Sequence, residues 1–159
     1  MIYKDPNKFL YDSTIEGDWS LLGLDIGKNK IGVAYSNSLV NVVLPITILS
    51  ERNQPMQINA ICKTIIDKKI TGVVIGLPVE MNGNHGTQVK AILDFTNRLT
   101  RKTVVPIYLH DERMTTALAN RLLMNNNLSR KQRNNADDEL SAAIILESFL
   151  TYSTSIKGI

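Results

Sequence analysis

The stretch LLGLDIGKNKIGVAYS, residues 21–36, decides the fold. Leu21 to Asp25 is a short apolar run that ends on an acid. Gly27 then breaks it, and Lys30 to Ser36 alternates around Ile31, Val33 and Tyr35. A short apolar run and a period-two segment on either side of a glycine-bearing turn predict two paired antiparallel strands. Burying an unpaired carboxylate costs several kcal/mol, so Asp25 needs a reason to be there. It either accepts hydrogen bonds from the turn amides or holds something positively charged. GLDIGKN is no phosphate-binding P-loop: three residues instead of four separate its glycines, and Asn29 follows the lysine where Ser or Thr is required.

Working outward, Asn37 and Ser38 turn the chain into a third strand over 39–48, whose Pro45 suits a sheet edge. The period then changes to that of helices. Ile58, Ile61, Cys62, Ile65 and Ile66 mark a helix over 54–68, and GVVIG (72–76) is a buried strand closed by Leu77-Pro78. Residues 81–86 are loop by composition. A helix is predicted over 87–101, a strand over 104–110, a helix over 115–126, and a last helix from near Asn135. The order β-β-β-α-β-α-β-α-α gives an α/β fold. Its five-stranded mixed sheet is an antiparallel meander followed by strand–helix alternation, with helices on both faces. Residues 1–20 read as an N-terminal extension with a short helix near 7–11, residues 21–152 as a single domain, and 153–159 as a C-terminal tail.

The chain of 159 residues suffices for one domain with a real core. Hydrophobic residues at 43% and charged residues at 21% exclude a disordered chain, and no apolar run is long enough to span a membrane. Cys62 is the single cysteine and His85 and His110 are the only histidines, which leaves no set of soft-metal ligands. The acids in residues 1–20 exclude a signal peptide, and a cytoplasmic location is expected. Net charge is +3, unevenly spread. Arg98 to Arg133 carries eight basic residues against Asp111 and Glu112, a net +6, while residues 1–20 carry −2. Such a block is either a solvated helix face or a footprint for a phosphate backbone.

Two further acidic clusters accompany Asp25. AspGluArg (111–113) ends a strand, and alternation aims one of Asp111 and Glu112 toward Asp25 while the other forms at most a surface pair with Arg113. AspAspGlu (137–139) opens the last helix, where the helix dipole favours acids. Asp138, Ala142, Ile145 and Phe149 share a helical face, although the helix is apolar enough all round to leave Asp137 in contention. Acids from a first strand, a late strand end and a final helix form the donor set that hard cations prefer. Two such ions, Mg²⁺ or Mn²⁺, can drive phosphodiester hydrolysis.

With LGLDIG and KIGVA, then VIGLPVEMNG, DERMTT and DELSAAIILES in this order and spacing, the chain resembles the YqgF (RuvX) family of Holliday junction resolvase-like nucleases, within the RNase H-like fold. The resemblance covers residues 20–151. It implies an RNase H-like sheet and nuclease action, chiefly at the 5′ end of precursor 16S ribosomal RNA. Asp25, Glu112 and Asp138 are then the catalytic and metal-holding acids, with two Mg²⁺ or Mn²⁺ ions. Lys30, Arg113, Arg130, Lys131 and Arg133 are the expected contacts to nucleic acid. No membrane partner is expected, and a homodimer is among the expected assemblies. The family commonly has Gly-Thr-Lys-Arg-Ile-Gly where this chain has GKNKIG, and Asn and Asp where it has Glu80 and Asn82. Three alternatives bear on function. An actin-like or sugar-kinase ATPase shares the opening Asp-x-Gly but needs two lobes and more than twice this length. A junction-specific DNA resolvase would use the same acids, and a non-catalytic RNA- or transcription-factor-binding module would not.

Overall fold

A computed structural model describes residues 1–12, 15, 17–39, 42–51, 53–78, 86–112 and 130–157, with the side chains of the last helix described over 140–153. The elements are β1 (Ile2–Tyr3), α1 (Pro6–Leu10), β2 (Ser20–Ile26), β3 (Ile31–Asn37), β4 (Leu44–Leu49), α2 (Gln54–Asp67), β5 (Gly72–Leu77), α3 (Thr87–Thr100), β6 (Ile107–Asp111) and α4 (Arg130–Lys157). The six described strands lie in one sheet in the order β1-β6-β5-β2-β3-β4.

The meander forms as its alternation requires. β2 and β3 are antiparallel with Asp25 opposite Gly32, and β4 pairs antiparallel with β3 at the sheet edge. Pro45 lies opposite Ala34 beside a register shift, the kind of place where a missing N–H is tolerated. β5 and β6 then add in parallel to the other side of β2, so β2, β5 and β6 point their C-terminal ends the same way.

Each face of the sheet has its own apolar cluster. Leu22, Leu24 and Ile26 of β2, Val73 and Ile75 of β5, and Ile107 and Leu109 of β6 face α2 and α3. The α2 stripe is Ile58, Ile61 and Ile65, and each fully buried side chain of that size stabilises by roughly 1.5–3 kcal/mol. Ile66 falls outside this stripe and is exposed. Asn53 caps α2, its side chain accepting a hydrogen bond from the Met56 amide at 2.9 Å. On the other face Leu21, Ala34, Val74 and Tyr108 pack against Ala142, Ile145, Leu146 and Phe149 of α4.

Two expectations, the strand count and the start of the last helix, need correction. The sheet has six strands among the described residues, not five, because Ile2–Tyr3 pairs in parallel with Ile107–Tyr108. Within residues 1–20 the short helix expected near 7–11 is α1, Pro6–Leu10. Asp5 caps α1 by accepting from the Asn7 amide, and Phe9, Leu10 and Ile15 are buried in the α4-side cluster. The last helix runs from Arg130 rather than from near Asn135. Arg, Lys and Gln are strong helix formers, and they extend a helix that its apolar stripe already nucleates. The helix expected over 115–126 lies outside the described residues. No described helix is long and apolar enough to cross a membrane.

Candidate active site

Alternation along β2 sends Leu21, Gly23 and Asp25 to the α4 side and the even-numbered residues to the other. Gly23 sets how closely the helix approaches. A Cβ there would lie 2.9 Å from both the Ala142 carbonyl oxygen and Leu146 Cβ, so only glycine lets α4 lie against β2. The turn after Asp25 is closed by the backbone, with the Gly27 amide donating to the Lys30 carbonyl at 2.8 Å. Asp25 therefore sits, half-buried, at the C-terminal end of a central parallel strand, where α/β sheets place their ligands.

Glu112 reaches the same place from β6. Tyr108 and His110 face α4, and continuing that alternation puts Glu112, rather than Asp111, on the Asp25 side. Gly76 of β5 lies between the two strands, and its missing side chain is the space that the Glu112 carboxylate occupies. A Cβ at Gly76 would collide with Glu112 Oε1 and Ile145 Cδ1, and would lie 3.0 Å from Glu112 Cδ. Burial first, then the negative charges of Asp25 and Asp111, together push the Glu112 carboxyl up to about 7. Two carboxylates thus share one low-dielectric corner. A hard divalent cation fits such a pair, because its charge offsets both the burial and the mutual repulsion.

Asp138 lies on α4 one turn before Ala142, the residue whose carbonyl abuts Gly23, and its side chain is outside the described residues. Ala142, Ile145 and Phe149, the rest of the expected stripe, are buried against the sheet. Among the described residues no group of three His, Cys, Asp or Glu side chains is gathered closely enough to hold a metal. Lys30 is exposed and lines a depression of about 300 Å³ that also contains Asp25. Arg130, Lys131 and Arg133 stand in the first turn of α4, with side chains outside the described residues, and Arg113 lies outside them altogether.

One residue of this corner escapes a reading of the sequence. His110 is buried between Tyr108 and Glu112 on the α4 face, and its Nε2 lies 3.1 Å from Ser148 Oγ of α4. Burial holds its pKa below the ordinary histidine value, partly opposed by Asp111. The neutral ring braces the strand carrying Glu112 against the helix carrying Asp138. Its position in the Tyr108–His110–Glu112 alternation was the available signal.

The mixed sheet covered by helices on both faces is an α/β fold of the RNase H-like class, and the comparisons with known proteins are specific. Residues 19–152 match the family model RuvX, Holliday junction resolvase, and the chain belongs to that family. Among curated relatives, a Rickettsia africae protein named "Putative pre-16S rRNA nuclease" is 39% identical over 139 residues, covering 87% of this chain and 88% of its own. A protein of the same name from Rickettsia bellii is 40% identical over 130 residues, covering 82% and 84%. In fold, the chain is similar to Thermus thermophilus RuvC in complex with a Holliday junction, with a TM-score of 0.56 at 12% identity over 86% of this chain and 97% of that one. It is also similar to the yeast mitochondrial Holliday junction resolvase Ydc2, with a TM-score of 0.54 at 12% identity over 98% and 89%.

Proposed function

We propose that this protein is a divalent-metal-dependent nuclease that processes the 5′ end of precursor 16S ribosomal RNA. The single observation that carries the proposal is the meeting of Asp25 and Glu112 at the C-terminal ends of parallel strands, where each raises the cost of the other's charge. Asp25, Glu112 and Asp138 would hold Mg²⁺ or Mn²⁺, with Asp25 in the central position because β2 lies mid-sheet. Bound there, such ions supply Lewis acidity, making water nucleophilic near neutral pH and offsetting charge on the leaving oxygen. The chain's own task is to fix the acids. Gly76 leaves room for Glu112, Gly23 admits α4, and the His110–Ser148 contact braces strand to helix. Lys30, Arg113, Arg130, Lys131 and Arg133 would hold the phosphate backbone and bring it over the acids. Ribosomal RNA is favoured as substrate because the relatives at 39–40% identity carry that name, whereas the junction-bound neighbour shares the fold at 12% identity. The place of action would be the cytoplasm, where precursor rRNA is processed.

The test offers purified protein two substrates with Mg²⁺ or Mn²⁺: precursor 16S RNA with its 5′ extension, and a four-way DNA junction. Metal-dependent cleavage of the RNA at the 5′ side, absent with Asp25→Asn, supports the proposal. Cleavage confined to the junction would instead establish a DNA resolvase, and no cleavage of either would overturn the nuclease reading.

A further inference from the structure

The Gly27–Lys30 turn has a second depression on its other side. Gly27, Lys28 and Asn29 line both the depression that contains Asp25 and a larger cavity of about 540 Å³ reached from the α2/α3 side. The two meet at this turn because Asp25 and Ile26 point to opposite faces of the sheet, and Ile26 lines the larger one. Ile26, Ala91 and Phe95 give that cavity an apolar wall. Glu51 and Gln57 line it as well, and Gln57 is tied down, its Nε2 donating to the Glu51 carbonyl at 3.3 Å. Glu51 Oε2 is buried and, among the described residues, has no hydrogen-bond partner. A carboxylate oxygen shut away from water without a donor is costly, and a ligand that brings an N–H removes that cost.

We propose that the cavity is a nucleobase pocket: one base of a single-stranded substrate crosses the Gly27–Lys30 turn and presents N–H donors to the Glu51 carboxylate. The inference rests on the nuclease reading above and adds to it a site that reads sequence. Its size accommodates a nucleotide, and its make-up of one apolar wall with a few fixed polar groups is that of a small-molecule site. Single-stranded bases are recognised in this way, splayed out and hydrogen-bonded along their Watson–Crick edges. Of the four bases, guanine offers two adjacent N–H donors on that edge, N1–H and the 2-amino group, which a carboxylate accepts side by side. Lys28 and Lys30, both exposed on the turn, are placed to neutralise the phosphates flanking the inserted base.

The test uses the Asp25→Asn protein, to prevent cleavage, and fluorescein-labelled seven-nucleotide RNAs of identical sequence except for G, A, C or U at the central position, with binding read by fluorescence anisotropy. The expected result is a preference for G of about tenfold or more, the discrimination of one good bidentate pair. In the Asp25→Asn, Glu51→Gln double variant, which keeps the shape but replaces one acceptor by an amide donor, that preference falls to about twofold or less, with the thermal melt showing the fold intact. Equal affinity for all four RNAs, or a preference untouched by Glu51→Gln, overturns the pocket while leaving the nuclease reading standing. Failure to bind any RNA or any single-stranded DNA of the same sequences overturns both.

Discussion

Replacing Glu112 by Gln in the metal-free protein should make it more stable at pH 8, and no more stable at pH 4. Glu112 is held up at about 7 in the folded protein, against 4.5 when free of its surroundings. Below 4.5 the carboxyl is neutral in both folded and unfolded chains and contributes no pH dependence. Between 4.5 and about 7 the unfolded chain gives up its proton while the folded chain keeps it, so stability falls as pH rises. Above about 7 the full penalty is present. This is the reverse of a salt-bridged carboxylate, whose contribution grows with pH. A shift of that size at about 1.4 kcal/mol per pH unit sets a ceiling of roughly 3 kcal/mol. Glu112 is only half-buried, and solvent screening brings the expected figure to roughly 2 kcal/mol. For a chain of this length that corresponds to about 3–8 °C in Tm. The assay is thermal unfolding of both proteins in EDTA from pH 4 to pH 8.5. Identical curves at pH 8, or a wild type that gains on the variant between pH 5 and 7, would refute the picture of two carboxylates crowded into one half-buried corner. Adding Mn²⁺ at pH 8 should reverse the order, stabilising the wild type more than the variant.

Other consequences are as direct. Asp25→Asn should abolish cleavage while leaving the far-ultraviolet circular dichroism unchanged, and should lower the pH midpoint of the Glu112 transition because one of the charges raising it is gone. Gly76→Ala should destabilise by about 1–3 kcal/mol through collision with Glu112 and Ile145, readable as a lower urea midpoint, and should weaken Mn²⁺ binding. Substituting Ala for Arg130, Lys131 and Arg133 together should flatten the slope of log affinity against log salt by up to about three units, nearer two for single strands. Tm should not fall in that triple variant, since basic side chains in the first turn of α4 oppose the helix dipole. An unchanged salt slope would remove those three residues from the substrate path.

Much of this corner was legible in the chain because strands and helices impose periods. The apolar run and the alternating segment of residues 21–36 predict the β2–β3 pair, whereas alternation alone left Asp111 and Glu112 open until the structure put Tyr108 and His110 on the α4 face. The stripe Ala142, Ile145, Phe149 marks the buried side of α4, and all three are buried. What the sequence hid lacked a period or depended on distant partners. Ile2–Tyr3 is too short to carry a pattern, and it becomes a strand only because β6 presents an open edge. The segment from Arg130 to Asn135 is polar throughout, so no apolar repeat announced the early start of α4. The glycine at 76 resembles any strand-ending glycine until the Glu112 carboxylate is seen in its side-chain space. The Glu51 cavity likewise assembles from three separate stretches of chain and has no local signature.

The central claim is that Asp25, Glu112 and Asp138 form one metal-holding site. Anomalous diffraction from crystals grown with Mn²⁺ tests it most directly. The account predicts manganese between Asp25 and Glu112, at about 2.0–2.4 Å from their oxygens, with the Asp138 carboxylate within roughly 8 Å of both. Manganese bound elsewhere while this corner stays empty, or Asp138 directed to the opposite side of α4 from Asp25, would contradict it.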